Sequence, residues 1–289
     1  VVDGTLYVGP GDWNGDSGRD TADTIAYAVI DDTDGSLGAW SMIDEFPEPP
    51  ADQAIGAGAH ISIPAGDFLY ILGGAFTSTD RVLLTNTASV SSIGVTSALP
   101  VADWFNRAAG VSSQSVIVHG AGNRVSTRDI SYAPVNTDGT LGSWTAAGTY
   151  PGSGSQWDYV MAHAAAGGND YVVIAGGSAL DGAVYTSQVT GGVPSTSWTT
   201  TNSLPFSVRR VTGFGFQDVV FVLGGTIGGS SVSAATADIQ VGRIDSSGEI
   251  TWSDSSADAN LEAMPQARGF GGSAIYIPPS AIEDWTIYH

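Results

Sequence analysis

Asp67-Phe68-Leu69-Tyr70-Ile71-Leu72-Gly73-Gly74 decides how this chain is read, because variants of it recur and every other feature can be placed by its distance from a copy. Five consecutive apolar residues cover both faces of a strand, as burial between two layers requires, and the diglycine admits positive φ or a close backbone approach. Asp170 to Gly177 and Asp218 to Gly225 repeat the stretch closely, while Ser115 to Gly122 and Gly4 to Gly11 repeat it more loosely. A second landmark is an aromatic residue six positions before an apolar-Pro pair: Trp40 with Phe46-Pro47, Trp144 with Tyr150-Pro151 and Trp198 with Leu204-Pro205. Ile93 stands in for the Trp before Leu99-Pro100, and between Trp252 and Met264-Pro265 the spacing is six residues longer. A repeat of about 50 residues is that of propeller blades and related arrays.

Further strands lie between these landmarks. After each proline comes a small-residue strand: Gly56 to Ile63, Ala108 to Ser112, Tyr159 to Ala166, Val211 to Phe216 and Gly271 to Ile277. The diglycine strand follows, then an alternating strand such as Thr24 to Ile30, Arg81 to Asn86 or Val184 to Val189, then the Trp strand. Turns rich in Asp, Asn and Gly, such as Asn136 to Gly139 and Asp245 to Gly248, lead into the Trp strands. The expected fold is all-β, a single propeller domain over residues 1–289 with about five four-stranded blades: roughly 266–289 joined to 1–47, then 48–100, 101–151, 152–205 and 206–265. Closure of the ring is expected between the N- and C-terminal strands. Asp284 to His289 aligns with Asp67 to Leu72, which makes one diglycine-type strand more than the other kinds. A surplus strand is an edge that invites pairing with a second copy of the chain.

The formal charge is −20, and all nine cationic side chains are arginine. Nucleic acid is excluded as a partner, because binding a phosphate backbone relies on clustered Lys and Arg that displace counterions. Self-repulsion at this charge is relieved by salt, a pattern that fits a halophilic source. No apolar run is long enough to cross a membrane as a helix. There are no cysteines, so a disulfide framework is excluded. The start, Val1-Val2-Asp3-Gly4, is that expected of a chain whose leader has been removed or trimmed.

A hydrophobic strand ending in Gly-Gly, a Trp some 20 to 30 residues on and then an apolar-Pro pair, often followed by Arg, resembles the kelch-repeat β-propellers. The turn Asp138-Gly-Thr-Leu-Gly-Ser-Trp144 looks like the propeller repeats of bacterial, archaeal and tailed-virus surface proteins. That resemblance implies a fold more firmly than an activity, since function lives in loops grafted on the scaffold. It implies binding of a protein or a glycan outside the cell. The family's copper oxidases use a cross-linked Cys, which this chain lacks.

The candidate ligand site gathers near one channel mouth: Trp104 and Trp157, suited to stacking on sugar rings, with Arg107, Arg209 and Arg210, suited to bidentate contact with a carboxylate. Arg268 falls in the same place relative to its proline. His60 and His163 occupy matched positions on their small-residue strands and are expected to hydrogen-bond between neighbouring blades. No catalytic constellation and no organic cofactor motif can be assembled. The expected function is therefore a non-enzymatic recognition or adhesion module on a cell surface or virion. The alternatives are a structural subunit of an appendage, surface layer or virus particle that assembles with itself through terminal strands, and a glycan-cleaving enzyme with a carboxylate pair.

Asp12-x-Asn14-x-Asp16-x-Gly18-x-Asp20-x-x-Asp23 puts oxygen ligands at the spacing of a calcium loop, although Ser17 sits where the sharp turn ordinarily uses Gly. Calcium is the expected metal. Added calcium should raise the melting temperature, and replacing Asp12 and Asp16 together by Ala should abolish the rise.

Overall fold

In a computed structural model the chain is described at residues 5–8, 25–31, 36–43, 57–73, 79–84, 91–95, 97–100, 107–122, 128–152, 156–178, 182–228, 234–259, 261–267, 274–276 and 286–288. The first sheet holds β1 (Thr5–Val8), β2 (Ile25–Val29) and β3 (Ser41–Ile43). The second holds β4 (Ala57–Ile63), β5 (Gly66–Leu72), β6 (Thr79–Leu84) and β7 (Ser91–Val95), and the third β8 (Arg107–Val111), β9 (Val116–Gly120), β10 (Asp129–Pro134) and β11 (Thr145–Thr149). In the fourth, β12 (Val160–Ala166) and β13 (Asn169–Ala175) precede β14 (Val184–Thr190), on which both β15 (Val193–Pro194) and β16 (Thr199–Thr201) pair. The fifth holds β17 (Thr212–Phe216), β18 (Val219–Leu223), β19 (Ile239–Ile244) and β20 (Ile250–Asp254), and the sixth β21 (Ala274–Tyr276) and β22 (Thr286–Tyr288). All neighbours are antiparallel, and consecutive strands pair in order within each sheet except that β16 pairs with β14 and not with β15, so the all-β reading holds. Six sheets are described where about five blades are expected, because β21 pairs with β22 and no described pairing joins either to β1. Among the described residues no helix is long and apolar enough to cross a membrane.

The diglycine strand is the second of each complete sheet, and its two-faced apolar run is explained by where its side chains go. On β13, Tyr171, Val173 and Ala175 pack toward the fifth sheet, whereas Val172 and Ile174 pack toward the third. On β18, Val220 and Val222 face the fourth sheet, and Val219, Phe221 and Leu223 face away from it. The apolar residue before each landmark proline among the described residues plugs one of these cores: Leu99, Tyr150, Leu204 and Met264 are all buried, each in a different cluster. Burying such a side chain contributes about 2 kcal/mol, which accounts for the repeat of the position with varied residue type. Of the repeated tryptophans, Trp144, Trp198 and Trp252 pack against these clusters, but Trp40 is half exposed.

The small-residue strands pack side by side in chain order, β4 on β8, β8 on β12, β12 on β17 and β17 on β21. Glycine makes the closest of these approaches possible. A Cβ on Gly110 would lie 1.9 Å from the carbonyl oxygen of His60, and one on Gly215 would lie 1.7 Å from that of His163. His60, Gly110, His163 and Gly215 share one register position on four successive sheets, so His and Gly alternate.

The same alternation appears in the bonds between sheets. Tyr70 Oη donates to the carbonyl of Gly139, and Tyr171 Oη donates to that of Ser246, each at 2.7 Å and each into the turn before the Trp strand of the following sheet. Trp144 Nε1 donates to Ser97 and Trp252 Nε1 to Asn202, both carbonyls three residues before the landmark proline of the previous sheet. The third and fourth sheets are joined differently: Gln114 Nε2 donates to Asp170, Gln114 Oε1 accepts from the Gly192 amide, and the buried Trp198 Nε1 has no partner among the described residues. The physical unit of repetition is thus a pair of sheets.

Gly215→Ala should cost about 3 kcal/mol, because a methyl group against a backbone oxygen cannot be absorbed by a side-chain rotation. Gly58→Ala on β4 is the control, since nothing lies within 4 Å of that position, and it should change stability by about 0.5 kcal/mol or less. Urea denaturation of the two variants makes the comparison.

Candidate anion-binding site

The diglycines shape one end of the inner strands. Gly176 and Gly177 have φ of 67° and 99°, and Gly224 and Gly225 have 59° and 95°. A Cβ on Gly177 would stand 2.1 Å from Gln156 Nε2 and 3.0 Å from the Trp157 carbonyl oxygen, and one on Gly225 would stand 2.8 Å from that of Arg209. The segment that precedes each inner strand therefore lies directly on a diglycine. The amide of Ser178 donates to Trp157 at 3.0 Å, as that of Thr226 donates to Arg209 at 2.7 Å, and the Gly177 amide reaches across to Val208 at 2.8 Å.

The next residue in each segment is left-handed without being glycine: Asp158 at φ 60° and Arg210 at φ 57°. Both stand two positions before their inner strands, β12 and β17, so they are equivalents in adjacent sheets with opposite charge. Such a conformation costs about 1 kcal/mol or more and persists only where its surroundings enforce it. Arg210 Nε lies 3.8 Å from Asp158 Oδ2, an ion pair longer than a hydrogen bond.

Asp158 is fully shut off from solvent, and neither carboxylate oxygen has a hydrogen-bond partner among the described residues. Burial pushes its pKa from 3.8 up to about 6, against the opposing fields of Arg107, Arg210 and Arg209. Arg107, at the start of β8, donates from Nε to the Tyr159 carbonyl at 2.8 Å and so ties the third sheet to the fourth. Burial lowers its own pKa, which Tyr159 and Asp158 partly offset. Tyr159 Oη donates to Ala121 at 3.0 Å, and Gln156 Nε2 donates to Gly176 at 2.8 Å. Three guanidinium groups thus act on one carboxylate, Arg210 from 3.8 Å, and burial still outweighs them, so the proton on Asp158 is held more tightly than in water.

No protein family and no curated protein matches the sequence. The fold is shared. A solved structure titled "Structure of YjhT" covers 100% of this chain, and 95% of its own length is matched, with a TM-score of 0.58 at 14% identity. At that identity the likeness to YjhT extends to the fold and not to the chemistry of the site.

Of the residues singled out from the sequence, Arg107, Arg209 and Arg210 all act electrostatically on Asp158, and the half-buried Trp157 precedes it in the chain. Trp104, Arg268 and the whole calcium loop, Asp12, Asn14, Asp16, Asp20 and Asp23, lie outside the described residues. The matched histidines bond within their own sheets and not to a neighbour: His60 Nε2 is 3.1 Å from Asp67 Oδ1, and His163 Nε2 is 2.8 Å from Asp170 Oδ1. Each pair spans the hairpin between inner and diglycine strands, which fixes its register. Three open clefts, of about 560, 720 and 670 Å³, are lined by none of Arg107, Arg209 and Arg210 and lie beside Asp218 and Arg243, beside Trp252, and beside Tyr171 and Thr186. Asp158 is the residue that the sequence did not single out.

Two buried groups give stability opposite slopes with pH. The folded pKa of Asp158 is raised, so its contribution is full below about pH 4 and is lost as pH rises through about 6. His119 on β9 lies edge-on to Trp144, and burial lowers its pKa from 6.5 to about 4, so its contribution is full above pH 6.5 and is lost as pH falls through about 4. Each is worth on the order of 3 kcal/mol. Melting curves from pH 4 to 7 should therefore lose their alkaline fall in Asp158→Asn and their acid fall in His119→Gln; wild-type profiles in both would refute the assignment.

Proposed function

We propose that this chain is a kelch-type propeller outside the cell, a non-enzymatic recognition module that holds an acidic glycan at the inner-strand end through Arg107, Arg209 and Arg210. The observation that carries the reading is the convergence of three arginines on a buried carboxylate in a protein of formal charge −20. A cationic spot is costly to assemble around buried groups and is useful where an anion is to be held. Trp157 beside it supplies an apolar surface of the kind on which sugar rings stack. Support for the propeller comes from the inner strands packed side by side, and the alternation of sheets in pairs favours an even number of blades. The acidic surface fits a halophilic setting on a cell envelope or virion.

The second reading, a structural subunit that assembles through its ends, draws on β1 and β22 lying in separate short sheets with no described pairing between them. Exposed strand edges are pairing surfaces for another copy.

Binding to immobilised glycans with and without carboxylates tests the first reading. Carboxylated glycans should bind, and Arg209→Ala with Arg210→Ala should weaken binding by about 10- to 100-fold with a cooperative melt retained. Equal binding of neutral glycans would sink the proposal. A defined oligomer lost on deleting residues 285–289 would favour assembly instead.

A further inference from the structure

Asp158 is at odds with a simple anion site, because a ligand carboxylate entering among the arginines meets a second carboxylate already there. Its oxygens have no hydrogen-bond partner among the described residues, it has no access to solvent, and its backbone is held left-handed at the position where the next sheet carries Arg210. The charged and titratable groups that face it are Arg107 from β8 and Arg209 and Arg210 from the segment before β17, with Tyr159 next to it in the chain. This cluster carries three positive charges and one negative charge when Asp158 is ionised. Two carboxylates sharing such a site cannot both stay ionised at low cost, and the usual outcome is that one of them takes a proton.

We infer that the cluster binds a ligand carboxylate together with one proton, taken from solvent and held on Asp158. The inference rests on the recognition reading above and adds the chemistry of its ligand. Protonation of Asp158 removes the negative charge that would otherwise repel a ligand carboxylate held by the arginines, and it gives the buried carboxyl an O–H donor. The arginines, relieved of Asp158 as a counter-ion, then neutralise the ligand. The carboxyl is poised for this: its pKa already stands at about 6, and a second negative charge raises it further. At neutral pH, binding draws in about one proton, so affinity falls by about tenfold for each pH unit above the titration of the free site. The coupling is reciprocal, and a ligand carried at low pH is released as pH rises.

Titration calorimetry of the whole chain with sodium D-galacturonate tests this, in two buffers of different ionisation enthalpy at pH 5.5 and 7.5. The neutral methyl ester is the control, and acetyl-Ala-Ala with a free C-terminus is the peptide arm. Uptake of about one proton per ligand at pH 7.5, weaker binding there than at pH 5.5 and no binding of the ester are expected. Asp158→Asn should bind with no proton uptake and no pH slope; should that variant not fold, the proton count of the native protein decides alone. Proton-linked binding of the peptide acid alone would support the coupling and assign the carboxylate to a protein partner, overturning the glycan reading. Carboxylate binding without proton uptake would overturn the inference and leave recognition standing. Absence of binding by both carboxylates at both pH values would overturn recognition and the inference together.

Discussion

At Gly176-Gly177 and Gly224-Gly225 the backbone passes through two consecutive residues of positive φ, and the segment leading to an inner strand lies on them with no room for a side chain. Much else depends on that contact. It turns the chain after each landmark proline back onto the end of the diglycine strand. It thereby sets where the inner strand starts, and it leaves Asp158 and Arg210 left-handed at the same end of adjacent sheets. A residue with a Cβ at Gly177 or Gly225 would push the segment away, and with it the ion pair. The signature that identifies the repeat in the sequence is therefore the same feature that builds the site.

Packing between sheets follows from the same economy of space. Inner strands approach so closely that Gly110 and Gly215 are filled by the carbonyl oxygens of His60 and His163. The matched histidines are then held by Asp67 and Asp170 within their own hairpins. Each of these glycines meets the backbone carbonyl of a histidine, so over the four described inner strands a sheet with His alternates with a sheet with Gly. The tyrosine and tryptophan bonds obey the same period, joining the second sheet to the third and the fourth to the fifth. Gln114 supplies a different join between those pairs, reaching both Asp170 and Gly192.

Most of the fold was legible because it is written in residue types with few uses: diglycine, the apolar residue before proline, the Asp- and Asn-rich turns and the alternating strands all stand where their chemistry suggests. The doubled period was also in the sequence, as His60 and His163 with Gly110 and Gly215, but a single-sheet repeat conceals it. The partners of the histidines were legible too, since an Asp follows each by seven residues. Asp158 was not legible by type, as an acidic residue in an acidic chain carries no signal. Its position does carry one: when Val160 is aligned with Thr212, Asp158 falls opposite Arg210, an exchange of charge at one place in the repeat. Its burial follows from the diglycine contact and not from its own chemistry, which is why residue type misleads there.

The net charge bears on how such a site works. At −20 the molecule repels any anion at long range, whereas an anion held as proposed would be attracted by the arginines at short range. Salt acts on these two unequally. With a Debye length of about 8 Å at physiological ionic strength and about 3 Å at 1 M, the repulsion from charges spread over the surface is screened away. Contacts among buried groups, where little electrolyte enters, are screened much less. Rising salt thus removes more of the penalty for approach than of the attraction at contact. An acidic surface and a partly buried arginine cluster are for that reason compatible in strong salt, and any selectivity of the proposed site would rest on the geometry around Asp158 and not on the field of the whole protein.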